Sequence, residues 1–334
     1  MLVAPEDLDE AVLAGAVERG WGIRVASMGY LAAGWGSHHW KVAGADGAAW
    51  FVTVDELENK QVTATESMDD GFGRLRAALG AAVALRDAGR EFVVAPVPAG
   101  GGAPAVRFGG RFAIAVYPLV DGRSHQWGEW TAQLRSAALD MVATVHTAPV
   151  RARGHALADD FAVPFRDQVE AVCSGGDVPE RGPYTARAVR LLREHATAIR
   201  RLLRRYDELA AVGRALRPGR NVLTHGEPHP GNVMLAGDGW RLVDWDTAAI
   251  APPERDLWHL DPGDGSTLDA YAAMTGVAPR PELIEGYRLG WDIKDLACDA
   301  ARFFRPHAGD ANDAKSWRLL KSLVEQGAGP AEPG

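Results

Sequence analysis

Cysteine is nearly absent from this sequence: Cys173 and Cys298 are the only two in 334 residues. Two thiols so far apart can form neither a disulfide framework nor a cysteine zinc cluster. No apolar run reaches the roughly eighteen residues of a membrane span. The start, Met1-Leu2-Val3-Ala4-Pro5-Glu6-Asp7, lacks both the basic residues and the apolar stretch of a signal peptide, so a soluble, cytoplasmic protein is expected. Positive charge is short as well, with 36 Lys and Arg against 44 Asp and Glu and a formal charge of −8. That balance opposes bulk electrostatic capture of nucleic acid and better suits a cationic small substrate. No Gly-Lys dipeptide occurs, which excludes a Walker A loop, and no internal repeat is visible. What is present is ordinary: 47% hydrophobic and 24% charged residues describe a globular chain, not a disordered, collagenous or coiled-coil one. The length favours two domains or lobes.

Periodicity divides the chain. An apolar helical face (Leu8, Val12, Leu13, Ala16, Val17) predicts a first helix from Glu6 to Arg19, ended by Gly20. Strand-like segments follow at Ile23–Ala32, Ser37–Val42 and Ala49–Val54, the last two joined by the turn Gly44-Ala45-Asp46-Gly47. A helix is expected over Asp70–Ala88, then strands near Val106 and over Phe112–Tyr117. Five strands with one inserted helix make a small α+β unit over residues 1–118. From 119 to 334 helices dominate, at about Glu129–Thr147, Asp160–Cys173, Pro183–Val212, Pro281–Phe304 and Asn312–Glu325. A turn-rich strand section from Asn221 to Val243 interrupts them. The Pro- and Gly-rich tracts Ala95–Pro104 and Gly327–Gly334 read as a surface loop and a frayed tail.

Residues 222–246 carry the chemistry: Val-Leu-Thr-His-Gly-Glu-Pro-His-Pro-Gly-Asn-Val-Met-Leu-Ala-Gly-Asp-Gly-Trp-Arg-Leu-Val-Asp-Trp-Asp. His225 and His229 have the spacing of a helical zinc pair, but Gly226, Pro228, Pro230 and Gly231 forbid the helix. A deaminase zinc site would need Pro-Cys-x-x-Cys, which is missing. A third reading works. Glu227 and Asn232 share an irregular loop, and a hairpin through Gly237-Asp238-Gly239 returns Asp244 beside it. A base near a hydroxyl, with an amide oxygen and a carboxylate for hard cations, is the set phosphoryl transfer requires.

This segment, with Ala251-Pro252-Pro253-Glu254-Arg255-Asp256-Leu257 after it, resembles the catalytic region of the aminoglycoside phosphotransferase family. That family is protein-kinase-like, and the likeness is greatest to its spectinomycin-phosphotransferase branch. The resemblance implies a bilobal fold, with a small antiparallel-sheet lobe for nucleotide and a larger helical lobe for the catalytic loop and acceptor. It implies Glu227 as the catalytic carboxylate, Asn232 and Asp244 as Mg²⁺ ligands and Asp246 as the second acid of the Asp-x-Asp element. Tyr117 to Val120, Leu119 included, would be the hinge against the base of ATP or GTP. Gly34, Gly36 and Ser37, in Gly34-Trp35-Gly36-Ser37-His38-His39, would cover the phosphates.

Two departures stand out. Glu227 occupies the position of the family's Asp, which adds a methylene and keeps the carboxylate. Thr53, in Trp50-Phe51-Val52-Thr53-Val54, stands where the kinase pattern has its third-strand lysine, and the helix after it has no Glu to pair with one. Lys41, Lys60, Arg74 and Arg76 are the nearby cations, and Lys41 is the expected substitute because its strand runs over the phosphates. The acceptor is expected to be a small hydroxyl compound, first an aminocyclitol or aminoglycoside antibiotic, with resistance as the outcome. A cellular hydroxyl metabolite is the alternative, and a weakly catalytic nucleotide-binding sensor the rival from another class. His146 reads as a packed or capping histidine and Asp256 as capping or pinning its own helix. Arg187 to Arg205 read as a solvated helix face, and Trp258, Trp291 and Trp317 as core. Asp261, Asp264, Asp292 and Asp295 could line a cationic acceptor's site.

Overall fold

The structure, a computed structural model, describes residues 1–153 and 155–327. Most of the tail expected after Gly327 therefore lies outside the described residues.

The first helix, α1 (Glu10–Trp21), starts four residues later than its apolar face suggests. The Asp9 carboxylate sets that start by accepting the Ala11 and Val12 N–H groups, a side-chain N-cap. Strands β1 (Val25–Leu31), β2 (His38–Gly44) and β3 (Ala49–Glu56) follow, then a 3₁₀ turn over Leu57–Lys60 and helix α2 (Met68–Asp87). Strands β4 (Val106–Phe108) and β5 (Phe112–Pro118) complete an antiparallel sheet of order β1-β2-β3-β5-β4. Strand alternation gives this sheet two different faces. Trp40, Val42, Val52, Val54, Ile114 and Val116 pack with Leu13 and Val17 of α1. The opposite face carries His39, Lys41, Phe51, Thr53, Ala115 and Tyr117, aligned by the pairs His39–Thr53, Lys41–Phe51 and Phe51–Tyr117. It looks into the cleft.

A short β6 (Gly122–Arg123) leads into the larger, helical part. There α3 (Ala132–His146), α4 (Val150–Arg153), α5 (Arg166–Cys173), α6 (Thr185–Glu194) and α7 (Ala196–Arg214) precede the small strands β7 (Val222–Thr224), β8 (Val233–Ala236), β9 (Gly239–Leu242) and β10 (Ala249–Ala251). Helices α8 (Glu254–Leu260), α9 (Ser266–Thr275), α10 (Pro281–Arg302) and α11 (Ala311–Gly327) close the chain.

The helix expected from Asp160 shrinks to α5 because Phe161 and Phe165 adopt positive φ of 59° and 55°, and Pro164 disfavours helix before it. The long helix from Pro183 is two helices, broken at His195. One apolar core, from Leu75 and Leu79 of α2 through Ala113 and Ala115 of β5 to Leu134, Leu223, Val233 and Leu242, joins the sheet lobe to the helical part. Among the described residues, no helix is long and apolar enough to cross a membrane.

Candidate active site

The segment between β7 and β8 forms no α-helix, only a 3₁₀ turn at Pro230–Asn232, and its backbone is held from outside. Gly226 has φ of 103°, and a Cβ there would stand 2.5 Å from Arg255 Nη1 and 2.6 Å from Thr247 Oγ1. Only glycine satisfies both demands. The fully buried Asp256, in the first turn of α8, accepts the N–H of His225 at 2.8 Å and that of Gly226 at 2.6 Å. The His146 ring Nε2 lies 3.0 Å from the same carboxylate, and its Nδ1 meets the Tyr271 hydroxyl at 2.9 Å. Burial works to raise the Asp256 pKa, but the bond to His146 and the nearby His225 and Arg255 hold it down at about 2. Asp256 therefore pins the loop before Glu227; capping its own helix is not what it does.

The His225 ring links two elements. Its Nε2 bonds the Val243 carbonyl at 2.9 Å, and its Nδ1 accepts the Glu227 N–H at 3.1 Å. Burial keeps the ring neutral, with a pKa lowered to about 4. Across the same gap the Val243 N–H donates to the Asn232 carbonyl at 3.0 Å. The hairpin of β8 and β9 is thus stapled to the loop, and Asp244 follows directly with φ of 67°. A left-handed Asp is uncommon and such residues concentrate at functional sites. The Asn232 amide nitrogen donates to the Glu227 carbonyl at 3.0 Å and lies 3.2 Å from His229 Nε2, so the side-chain oxygen is the end left to ligate.

The acids lie close enough to perturb one another. Desolvation, then Asp246, pushes Glu227 up to about 7. Desolvation, Asp246 and Glu227 push Asp244 well above the carboxylate range. Asp246 goes the other way, since the Lys60 ammonium at 2.5 Å outweighs burial. Lys60 also pairs with Asp55 at 3.0 Å. Among the described residues, no group of three or more His, Cys, Asp and Glu is arranged to hold a metal on its own.

The other expected nucleotide residues are distributed around the cleft mouth. Gly34 and Gly36 take left-handed φ of 65° and 95° in the β1–β2 loop. Ser37 is buried and its hydroxyl donates to Asp55 at 2.6 Å. Lys41 is exposed on the cleft face of β2. The Tyr117 side chain points from β5 toward the acids, and burial followed by Asp55, Asp244 and Asp246 drives its hydroxyl pKa well upward. The Leu119 N–H donates to the Ala49 carbonyl at 3.2 Å.

An aromatic wall, not evident in the sequence, borders Glu227. Trp127 stacks on Trp291 with ring centroids 5.5 Å apart and lies 4.6 Å from the His229 ring. Trp258 packs on His259 at 3.8 Å, and His259 Nε2 bonds the Gly226 carbonyl at 3.1 Å. Of the three tryptophans expected in the core, Trp258 and Trp317 pack against it, Trp317 beside Tyr184 and Phe303, while Trp291 stacks on Trp127. Asp292 and Asp295 are exposed beside Trp291 on α10. Desolvation by the cleft walls, with the Glu227 carboxylate next, pushes Asp295 up to about 8. Asp264 accepts the Ser266 N–H at 2.9 Å and its hydroxyl at 2.6 Å, beside the start of α9. The arginines of α6 and α7 from Arg187 to Arg205 are exposed.

Asp55 was detectable: an acid directly after Val52-Thr53-Val54 interrupts a strand whose neighbours are core. Trp127 had no such signal: it shares its loop with Trp130, and nothing around either marks which one borders the site.

Residues 30–298 match the model of the phosphotransferase enzyme family. Over 259 residues the chain is 31% identical to Protein StrN of Streptomyces griseus, which covers 72% of this chain and 74% of that protein. Among solved structures it resembles the spectinomycin phosphotransferase APH(9)-Ia in complex with ADP and spectinomycin. The TM-score is 0.68 at 16% identity, over 97% of this chain and 99% of that one. It also resembles the amicoumacin kinase hAmiN in complex with AMP-PNP, Ca²⁺ and Ami, with a TM-score of 0.56 at 14% identity over 96% and 94% of the two chains. At those identities the structures speak for a shared kinase-like fold, while the family match and the StrN relationship decide membership: the chain belongs to the phosphotransferase enzyme family, as a small-molecule kinase.

Proposed function

We propose that this enzyme transfers the γ-phosphoryl group of ATP or GTP to a hydroxyl of a small molecule in the cytoplasm, with Mg²⁺ held by Asn232 and Asp244. The observation that carries the reading is the stapling of the two chain segments by His225 and by the Val243–Asn232 bond. It sets the segments that bear Glu227, Asn232 and Asp244 side by side, which supports a shared site for two carboxylates and an amide oxygen. Asn232 and Asp244 would hold Mg²⁺ there, and the ion would supply charge neutralisation for the transferring phosphoryl group. Glu227 orients the acceptor hydroxyl and takes its proton, a role suited to a carboxyl whose pKa is lifted to about 7. Gly34, Gly36 and Ser37 cover the phosphates, and Tyr117 and Leu119 flank the base. On this reading residues 1–118 form the nucleotide lobe, and the chain from 119 onward carries the acceptor site.

The acceptor side is bounded by Trp127, Trp291 and His229, with the exposed acids Asp292 and Asp295 beside them. Aromatic faces suit the flat apolar side of a ring, and an entering ammonium group would draw Asp292 and Asp295, whose pKa values burial raises, into their charged form. An aminocyclitol or aminoglycoside has both, and the spectinomycin and amicoumacin named with the structural relatives support that class. A sugar or amino alcohol of cellular metabolism would use the same wall. Nucleotide-consumption assays over a panel of antibiotics, sugars and amino alcohols, with ³¹P NMR of the product, test the proposal. A phosphomonoester of one compound is expected. Tight Mg²⁺-dependent nucleotide binding without turnover on any compound would instead make the chain a sensor.

A further inference from the structure

Thr53 leaves a charge missing where the kinase pattern places its phosphate-binding lysine. The Thr53 hydroxyl lies 3.3 Å from His39 Nδ1, and burial keeps that ring neutral, its pKa lowered to about 3. Neither group can offset triphosphate charge. Four cations lie near enough to consider. Lys41 is exposed on β2. Arg74 engages Glu66 through both terminal nitrogens, at 2.6 and 2.5 Å, and also the Lys60 carbonyl at 2.6 Å. Arg76 lies over the Phe72 ring. Of the four, Lys60 is the one whose charge stands among the acids of the site, 3.0 Å from Asp55 and 2.5 Å from Asp246.

The manner of its support is equally specific. Burial opposes the charge on Lys60, but Asp246 and Asp55 outweigh it and hold its pKa well above the ordinary lysine range. Asp55 is itself fixed by the Ser37 hydroxyl of the β1–β2 loop. The turn bearing Lys60 is clamped to α2: a Cβ on Gly71 would stand 3.2 Å from the Leu57 carbonyl and from the Lys60 backbone, and Arg74 grips the Lys60 carbonyl. In the kinase pattern a helix-borne Glu holds a strand-borne Lys. Here the acid is on the strand and the lysine on the turn after it, and the helix holds that turn by its backbone.

We propose that Lys60 is the residue that meets the nucleotide phosphates, with Asp55 as its positioning partner; this rests on the phosphotransfer reading above. An ammonium has three donors on a flexible stem. It can keep Asp55 while one donor turns from Asp246 to a phosphate oxygen, with no movement of the turn.

The test is calorimetry on the full chain in Mg²⁺, with a nucleoside triphosphate and, in parallel, its nucleoside. Lys60→Met is expected to weaken triphosphate binding by about tenfold or more while nucleoside binding stays near wild type, the loss of one charge-assisted contact. Adding Thr53→Lys to Lys60→Met is expected to recover part of the loss by returning the charge to the strand. Because Lys60→Met leaves two acids uncompensated, Lys60→Met with Asp55→Asn is measured beside it, each checked by thermal melting. The same phosphate-specific loss in that pair supports the proposal even if the single variant does not fold.

Wild-type triphosphate affinity in the Lys60 variants, or a loss confined to Lys41→Met, overturns it. Equal loss for nucleoside and triphosphate overturns it too, since that marks a purely structural lysine. If the wild-type chain binds no triphosphate at all, the phosphotransfer reading falls and takes this proposal with it. That outcome differs visibly from a wild type that binds beside an indifferent Lys60 variant.

Discussion

The Asp256 carboxylate holds the Gly226 backbone N–H at 2.6 Å from thirty positions further along the chain. The residue next to Glu227 is therefore placed by a helix, not by its own loop. Replacing Asp256 by Ala strands two buried N–H groups and the His146 ring, and is expected to cost about 3 kcal/mol or more in denaturant unfolding. The pH dependence has a definite sign. With a folded pKa near 2 against an ordinary 3.8, Asp256 stabilises the fold above pH about 4 and loses that contribution as pH falls toward 2. The stability gap between wild type and Asp256→Asn should close over that interval; a gap unchanged down to pH 2 would count against the role.

Glu227→Gln keeps the side chain's shape and removes its basicity. The variant is expected to fold normally and bind nucleotide, with turnover lower by roughly 10²-fold or more. Near-normal turnover would reduce Glu227 to a residue that shapes the loop.

Metal dependence should reside in Asn232 and Asp244. Nucleotide affinity of the wild type is expected to rise with Mg²⁺ in calorimetry, and that gain to vanish in Asp244→Ala. Asp244→Asn tolerates the left-handed backbone, so it separates loss of a ligand charge from loss of the turn. Equal affinities of Asp244→Ala and wild type in Mg²⁺ would remove the assignment.

Gly226→Ala puts a methyl group against Arg255 and Thr247 on a backbone that L-residues avoid. Strain alone is worth about 1–3 kcal/mol. A lowered melting temperature is expected together with lost turnover. A stable and active Gly226→Ala would show that the loop can relax.

Trp127 is 58% exposed, so its removal should cost little stability. Trp127→Ala is expected to raise the KM for the acceptor several-fold and leave nucleotide Kd unchanged. If KM does not move, the aromatic wall lies outside the acceptor's path.

Strand alternation and one good turn were enough to read the sheet, because both are local properties. The loop and hairpin that carry Glu227, Asn232 and Asp244 were equally readable, since the three lie within one short stretch whose turn residues and spacing imply both. Long-range partners were not. Lys60 meets Asp246 across 186 residues, and nothing around Lys60 announces that. Asp256 looks like a cap for its own helix until the loop it holds is seen. The break at His195 and the left-handed Phe161 and Phe165 are set by packing that propensity does not encode. Trp291 sits at helical spacing, which cannot distinguish a core face from a face that borders a cleft.

Helix α2 grips the Lys60 turn by backbone contact, through Gly71 and Arg74. Protein kinases are commonly silenced by swinging the equivalent helix away and breaking its ion pair with the lysine. That lever is missing here. Rotation of α2 would tear the turn from its seat and open the apolar core that α2 shares with both lobes, a cost closer to unfolding than to gating.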